Sequence, residues 1–409
     1  MTVRKVIQKE LLIQEELMIG PDPLTEAMRA KVSQDIETMI EEEVDAALGG
    51  GWYKRFKQRT GYRHGSKPRT IVTSMGASKI KCPRARIIAQ NGATREWESK
   101  FLPKYQRRTK HIDDTLVNVY LSGTNTRRIK KALYPILQGA QMSKSTISRI
   151  VQRLKESFDK WRLMDLSVRT YIYLYVDAIG VKARAGEKVT KMPVLAVVGV
   201  RDTGQKDLLA LDMRGSESEE AWKDILKSLE ARGLKRPRLV IADGNKGLMA
   251  AIENLWPGMD VQRCFVHKLR NLLSYAPEHL HEEIKNDYHK IFYVQTEDEA
   301  RKYYNEFIAK WDKKLPAVGK SFKEAGEQLL TFLKYPSSQW RSLRSTNVIE
   351  NLNHEFRRRV KTQGSFPNQE SVLILLFALY ASGQISMQRI SGFKEIDDMK
   401  QKENLRSVA

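Results

Sequence analysis

Two aspartates each follow directly on a short apolar segment that is typical of a β-strand. Asp177 comes after residues 171–176, and Asp243 comes after residues 238–242. An acid at the carboxyl end of a strand in an open α/β sheet faces the crevice where ligands bind. Two such carboxylates on neighbouring strands repel each other unless they share a cation, and Mg²⁺ prefers carboxylate oxygens. Taken singly, either acid is better explained as a turn or strand-end residue.

A third carboxylate, Glu350, lies on a predicted helix over residues 346–359. Apolar residues mark one side of this helix, whereas Asn347, Glu350, His354 and Arg357 lie on the other. Three carboxylates can hold two divalent ions about 3.5–4 Å apart, the arrangement that catalyses in-line phosphoryl transfer. The three acids together therefore predict a two-metal site more strongly than any of them alone.

The elements that would position these acids have the order β-β-β-α-β-α-β from residue 169 onwards, which is that of a ribonuclease-H-like core. The strands are predicted over residues 171–176, 193–200, 207–213, 238–242 and 261–265. The turn signal Asp202-Thr203-Gly204 joins the second and third strands, and a capping box over residues 216–219 begins the first helix. Residues 266–334 are mostly helical and charged, and the apolar helix 369–382 is expected in the core.

The positive charge of the chain is concentrated before this core. The formal net charge is +22, and residues 52–110 hold 17 Lys and Arg against two Asp and Glu. A block this basic repels itself unless a polyanion neutralises it, whereas a merely solubilising surface would mix both signs. Aromatic residues suited to base stacking lie between the cations: Trp52, Tyr53, Phe56, Tyr62, Trp97, Phe101 and Tyr105. We expect a small basic β element or loop region that binds nucleic acid.

Three helical segments follow this basic region. The first ends at Gly123, the second covers residues 126–137, and the third begins after Ser143. Small polar and basic residues in the first turns of the third helix suit a helix-turn-helix motif that contacts base edges in the major groove. An ordinary three-helix bundle is the alternative. The DNA-contacting residues expected here are Lys144, Ser145, Ser148, Arg149, Gln152 and Arg153.

The N-terminal segment is predicted to contain two helices, over residues 5–18 and 24–48. One apolar stripe runs along the second helix from Leu24 to Leu48, and its opposite face is acidic. Such a stripe suits pairing with a helix of another subunit. Packing within the same chain explains it equally well.

Composition excludes several classes of protein. The 409 residues suffice for two to four domains, and an apolar fraction of 41% excludes wholesale disorder. The longest strongly apolar run, residues 372–380, is far shorter than the roughly 20 residues that span a bilayer. Two cysteines, Cys82 and Cys264, exclude a disulfide scaffold. Without a signal-peptide pattern at the N-terminus, we expect a cytoplasmic protein.

Five motifs occur in order between about residues 55 and 385. They are Tyr175-Val176-Asp177-Ala178 with Ala196-Val197-Val198-Gly199-Val200, Gly215-Ser216-Glu217-Ser218 with Trp222, Ala242-Asp243-Gly244 with Gly247-Leu248, Gln262-Arg263-Cys264-Phe265-Val266-His267 with Arg270-Asn271, and Trp340-Arg341 through Arg344-Ser345-Thr346-Asn347, Ile349-Glu350 and Leu352-Asn353 to Arg357-Arg358. Together, the motifs resemble those of Mutator-type transposases of bacterial insertion sequences.

The resemblance implies a ribonuclease-H-like catalytic domain with a helical insertion before the last acid. It implies that Asp177, Asp243 and Glu350 form a catalytic triad that holds two Mg²⁺ or Mn²⁺ ions. The implied activity is cleavage and strand transfer of double-stranded DNA at terminal inverted repeats, and DNA contacts are expected from Arg357 and Arg358. Because an element has two ends, a homodimer is the economical assembly. The protein would act in the bacterial cytoplasm, on nucleoid DNA.

Cys264 and His267 match a Cys-x-x-His pair of the same family. A structural zinc site needs about four ligands, and Cys82 lies far away in the sequence, so no zinc is expected. We expect Cys264, His267 and Asn347 near the active site, where they orient an acid or touch DNA. A buried thiol beside a hydrogen-bonded imidazole is an equal alternative for the pair.

The domain organisation and the function follow from these expectations. The predicted domains are N-terminal helices 1–50 with a possible dimerisation role, a basic DNA-binding region 51–110, a helix-turn-helix domain 111–165, a catalytic core 166–265 and 341–390, a helical insertion 266–340 and a tail 391–409. Two other functions stay open, a non-catalytic DNA-binding regulator and a ribonuclease-H-like repair nuclease. An intact triad disfavours the first, and a helix-turn-helix domain disfavours the second.

Overall fold

The computed structural model describes residues 22–51, 60–89, 92–121, 144–185, 188–363, 366 and 368–396. The chain forms two compact units that divide between Ile150 and Val151. The N-terminal unit contains helix α1 (Pro23–Leu48), strands β1 (Gly61–Thr73), β2 (Gly76–Ile88) and β3 (Thr94–Glu96), and helix α2 (Lys110–Leu121). The division falls inside helix α3 (Lys144–Arg162).

The N-terminal unit is built on an antiparallel sheet in the order β1-β2-β3. The basic β element predicted from the sequence is therefore present. Helix α1 begins at Asp22, whose carboxylate accepts from the backbone N–H groups of Leu24 and Thr25. Its last turns pack on the sheet through Ile40 and Val44, together with Leu48. This half of the apolar stripe thus packs within the chain.

The first turns of α1 are different. Leu24 is 69% exposed and Met28 is 46% exposed. The C-terminal half of the stripe therefore packs on the sheet, whereas two apolar side chains in its N-terminal half stay exposed. The predicted helix over residues 5–18 lies outside the described residues.

We predict that Ile40→Ala lowers the free energy of unfolding of the N-terminal unit by about 2–5 kcal/mol, because Ile40 is 1% exposed in a packed core. Leu24→Ala, on the same helix, is the matched control and should change stability by less than about 0.5 kcal/mol. Hydrogen exchange of the β1 and β2 amides, measured on the full chain, reports this stability. Equal exchange rates in both variants would contradict the packing described for α1.

One aromatic residue of the basic region packs inside the N-terminal unit instead of being free to stack on a base. Trp97 is partly buried and packs against the core of the N-terminal unit, and its backbone N–H donates to the carbonyl of Ala85. Tyr62, Phe101 and Tyr105 are exposed. Trp52, Tyr53 and Phe56 lie outside the described residues, as does the second helix of the predicted helix-turn-helix.

The C-terminal unit is built on a five-stranded mixed sheet in the order β6-β5-β4-β7-β8. Strand β4 pairs antiparallel with β5, and β5 with β6, whereas β7 and β8 run parallel to β4. The elements are β4 (Tyr171–Ala185), β5 (Lys188–Arg201), β6 (Lys206–Met213), α4 (Glu219–Ala231), β7 (Leu239–Ala242), α5 (Lys246–Leu255) and β8 (Asp260–Arg263). The predicted β-β-β-α-β-α-β order is confirmed.

Two details of these elements differ from the prediction. Strand β4 does not end at Asp177 but continues to Ala185, because β5 forms a long antiparallel ladder with it. Helix α4 begins two residues later than the predicted capping box implies. Its N-cap is Ser218, whose hydroxyl accepts from the N–H of Ala221, and Ser216 precedes the helix.

Helices cover the sheet and form the rest of the described C-terminal unit. Trp222, Ile225 and Leu229 of α4 pack with α5 against the sheet in one core. The later helices are α6 (Phe265–Ser274), α7 (His281–Phe292), α8 (Glu297–Lys314), α9 (Pro316–Ala325), α10 (Ser337–Leu343), α11 (Asn347–Gln363) and α12 (Gln369–Ala381). Helix α11 packs against β4, and the apolar α12 packs against β4 and β6. No helix in the described ranges is long and apolar enough to cross a membrane.

Candidate active site

Asp177 and Asp243 lie side by side at the point where parallel pairing stops. The last parallel pair of β4 and β7 is Val176 with Ala242, so each aspartate is the next residue of its chain segment. Asp177 thus lies within a long strand rather than at a strand end. Asp243 follows β7 directly, as predicted.

The pKa of the Asp177 carboxyl is affected by both of the other acids. It is 6% exposed, and burial, together with the negative charges of Asp243 and Glu350, raises its pKa to about 6. The imidazole of His267 acts in the opposite direction and lowers this pKa. The fold therefore brings the three predicted acids into one electrostatic site, although more than 170 positions separate the first from the last.

Asn353 is part of this site and is absent from the predicted site residues. It is completely buried, and its side-chain Nδ2 donates to Asp177 Oδ2 at 2.8 Å. Its Oδ1 is buried without a hydrogen-bond partner. The signal in the sequence was its position, since a residue three places after Glu350 lies on the same face of a helix.

Glu350, in the first turn of α11, is held by two cations of α6. Its Oε1 lies 3.2 Å from Arg270 NH1 and 3.5 Å from His267 Nε2. Near this contact, the backbone N–H of Phe265, the first residue of α6, donates to the carbonyl of Arg344, three residues before α11. Arg270 too was not among the predicted site residues.

The Cys264–His267 pair lies between the sheet and α11. Cys264 is fully buried, its backbone N–H donates to Ala242, and its sulfur accepts from the N–H and hydroxyl of Thr346 at 3.3 and 3.2 Å. Burial alone would raise the pKa of this thiol, but hydrogen bonds from His267 and Thr346 lower it. The hydrogen bond to Cys264, then Asp177 and Glu350, raise the His267 pKa to about 9. The raised pKa favours the protonated imidazole, and its Nε2 lies 3.5 Å from Glu350 Oε1.

The loop after Asp243 has its own supports. Asp243 Oδ1 accepts from the N–H of Asn245 at 2.9 Å, and Asn245 Nδ2 donates to Glu217 at 3.1 Å. Burial and the charge of Asp243 raise the Glu217 pKa, so a fourth carboxylate lies near the site. Gly244 has a φ of 88°, and a Cβ there would lie 1.8 Å from Arg263 Nε. The loop therefore has no room for a side chain beside Asp243.

The other predicted residues whose side chains the structure describes are exposed. Asn347 is exposed at the start of α11, and Arg357 and Arg358 are exposed further along it; Arg358 pairs with Glu355 at 2.6 Å. On α3, Arg149, Gln152 and Arg153 are exposed. The side chains of Lys144, Ser145 and Ser148 on the same helix lie outside the described part of the chain.

The acids are not arranged as a closed metal cage. Within the described residues, no group of three or more His, Cys, Asp and Glu side chains is placed to hold a metal ion as it stands. Glu350 is paired with cations on α6, and Asp177 is bonded to Asn353. Rearrangement of these partners would be needed before the carboxylates could share an ion.

The comparison with protein families decides which group these residues belong to. A model described as transposase, Mutator family, matches residues 1–388. The chain belongs to the Mutator family of transposases. The family match covers the whole N-terminal unit and all but the last 21 residues of the C-terminal unit.

Transposases of bacterial insertion sequences are similar to this chain over most of their length. The transposase for insertion sequence element ISRM5 of Rhizobium meliloti (strain 1021) is 33% identical, covering 96% of this chain and 96% of the relative. The transposase for insertion sequence element IS1081 of Mycobacterium tuberculosis (strain ATCC 25618 / H37Rv) is 29% identical, covering 93% and 89%. Among solved structures, the Drosophila P element transposase strand transfer complex matches with 11% identity and a TM-score of 0.28, covering 72% and 86%.

Proposed function

We propose that this member of the Mutator family binds the terminal inverted repeats of an insertion sequence and catalyses metal-dependent DNA strand cleavage and strand transfer. The observation that carries this proposal is the convergence of Asp177, Asp243 and Glu350, where burial and then the negative charges of the other two acids raise the pKa of Asp177. Three mutually repelling carboxylates are a costly arrangement unless a cation binds there.

We propose that the C-terminal unit is a ribonuclease-H-like domain with a helical insertion. The order β6-β5-β4-β7-β8, with three antiparallel strands followed by two parallel ones, supports this assignment. So does the position of the acids, on β4, directly after β7 and on α11. The helices between residues 265 and 343 would be the insertion that separates Asp243 from Glu350.

The carboxylate donors of the site would suit two Mg²⁺ or Mn²⁺ ions once the partners of Asp177 and Glu350 rearrange. Carboxylate oxygens are the donors that these ions prefer, and the unpartnered Asn353 Oδ1 adds a buried neutral oxygen beside Asp177. Asp177, Asp243 and Glu350 would hold the ions. When bound, such ions activate an attacking hydroxyl and stabilise the leaving oxygen of an in-line phosphoryl transfer.

The protein side chains around the acids would keep them in place. Asn353 orients Asp177 through its amide hydrogen bond. Thr346, at the start of α11, fixes the Cys264–His267 pair, and the positive charge of His267 offsets part of the repulsion among the acids. The pair thus acts as an electrostatic support rather than as a zinc site, and we propose that the protein works without zinc.

DNA recognition would involve the basic N-terminal unit, α3 and the exposed Arg357 and Arg358. We predict that Arg149→Ala weakens binding to the inverted repeat by about 1–3 kcal/mol and relaxes selectivity at one base pair, as the loss of a bidentate base contact does. Competition binding with single-base variants of the repeat measures both effects. An equal loss on repeat and random DNA would instead identify Arg149 as a phosphate contact.

We also propose that the protein acts as a homodimer, because the two ends of an element must be processed together. The exposed apolar side chains at the start of α1 suit a contact between subunits. Sedimentation equilibrium of the full chain should give twice the chain mass of 47.2 kDa. A monomer at micromolar concentration, with and without the DNA ends, would contradict this assembly.

The proposed function is tested by incubating the full chain with its own element ends and Mg²⁺ and mapping the strand breaks. We expect breaks at the element boundary and joining of the resulting 3′ ends to target DNA. Binding without breaks would favour a non-catalytic regulator, and breaks at branched DNA independent of sequence would favour a repair nuclease. Either outcome would refute the proposed function.

A further inference from the structure

One carboxylate oxygen of the candidate site is shared by two cations. Glu350 Oε1 is the partner of both Arg270 NH1, at 3.2 Å, and His267 Nε2, at 3.5 Å. His267 and Arg270 are three residues apart on α6, so their side chains lie on one face of that helix. Helix α6 therefore presents two positive charges to the third acid of the proposed triad.

The two cations differ in how firmly they are held. The His267 side chain is 25% exposed, and its ring nitrogen Nδ1 lies 3.3 Å from the Thr346 hydroxyl. The Arg270 side chain is 63% exposed. An ion pair this open to water is weak and exchanges its partner easily. Arg270 can therefore leave Glu350 without disturbing the core, whereas His267 belongs to the buried Cys264–Thr346 cluster.

We propose that Arg270 changes partner in the reaction, so that it neutralises Glu350 in the unloaded protein and contacts a DNA phosphate once Glu350 holds divalent ions. This inference rests on the proposed function. A carboxylate that ligates a cation has less negative charge left for a guanidinium. A guanidinium is also well suited to a phosphate, which it can bind through two parallel hydrogen bonds. Arg270 would thus couple the loading of the acids to the binding of DNA.

Arg270→Gln separates this role from a structural one, with Ca²⁺ as the probe because it binds carboxylate oxygens. Without DNA, Arg270→Gln should bind Ca²⁺ up to about fivefold more tightly than the wild type by calorimetry, because a cation that competes for Glu350 is gone. Ca²⁺ should increase the affinity of the wild type for an element-end duplex. This increase should be about 10–100-fold smaller for Arg270→Gln, because a charged hydrogen bond to phosphate is lost. A structural role would weaken both equilibria together.

Two further variants sharpen the test. Arg270→Lys keeps the positive charge but loses the planar guanidinium that can form two parallel hydrogen bonds. It should recover part of the Ca²⁺-dependent gain in DNA affinity. Arg301→Gln is the matched control, since Arg301 is 48% exposed, lies on α8, and pairs with Glu297 and Glu327 rather than with an acid of the proposed triad. It removes the same charge, and so it corrects for the general loss of phosphate attraction.

The results also separate this inference from the proposed function. An Arg270→Gln chain that keeps the full Ca²⁺-dependent gain, as Arg301→Gln should, overturns the inference. So does weaker Ca²⁺ binding by Arg270→Gln. A wild-type chain that makes no strand breaks at its element ends in Mg²⁺ refutes the proposed function and the inference with it. If the wild-type chain cleaves, the Ca²⁺ affinity and the Ca²⁺-dependent gain in DNA affinity of Arg270→Gln decide whether the inference is correct.

Discussion

Asp177→Asn, Asp243→Asn and Glu350→Gln should each reduce strand cleavage at the element ends by orders of magnitude. Each amide keeps the shape of the side chain but removes the charge that would hold a divalent ion. Cleavage and strand transfer should fall together, since both steps would use the same ions. The measurement is the rate of strand breakage on an end-labelled element end in Mg²⁺ and in Mn²⁺.

Binding measurements on the same variants distinguish a chemical defect from misfolding. Removal of a negative charge near the DNA should leave affinity for the element end unchanged or increase it, because unloaded carboxylates repel phosphates. Glu355→Gln is the matched control for Glu350. It lies on α11 but is rotated by about 140° at 3.6 residues per turn, and it pairs with Arg358. Near wild-type cleavage by any one of the three amide variants would remove that residue from the triad.

Asn353→Ala should lower the cleavage rate about 10–100-fold, the second largest effect that we expect. Asn353 Nδ2 donates to Asp177 at 2.8 Å in a fully buried position, and a hydrogen bond to a charged group is worth about 1.5–3 kcal/mol. Without it, the Asp177 carboxylate loses both its orientation and part of its stabilisation as an anion. The rate of breakage at saturating Mg²⁺ measures the effect, so that a loss of metal affinity alone does not imitate it.

The control for Asn353 is its neighbour Asn351, which is exposed on the same helix. Asn351→Ala should cleave DNA at the wild-type rate and unfold at the wild-type temperature. A thermal melt of Asn353→Ala is also needed, because truncation of a buried side chain destabilises the fold. If folded Asn353→Ala cleaves as fast as Asn351→Ala, Asn353 has no part in positioning Asp177.

Local patterns in the sequence were enough to predict the order of the elements and to mark Asp177, Asp243 and Glu350. Alternating and continuous apolar runs report strands, and a 3.6-residue period reports helices, because each pattern reflects burial of neighbouring residues in the chain. The family was recognisable for a similar reason, since its motifs lie within short segments. The strand boundary at Asp177 was wrong because β5, a separate segment, extends β4 to Ala185.

Tertiary structure alone decided which side chains meet at the acids. Asn353 reaches Asp177 across 176 positions, Arg270 reaches Glu350 across 80, and Thr346 reaches Cys264 across 82. No periodicity or spacing encodes such contacts, because they depend on how α6 and α11 pack beside the sheet. The apolar stripe of α1 shows the same limit. Its pattern requires a partner surface, but only the fold determined that Ile40 and Val44 pack on the sheet while Leu24 stays exposed.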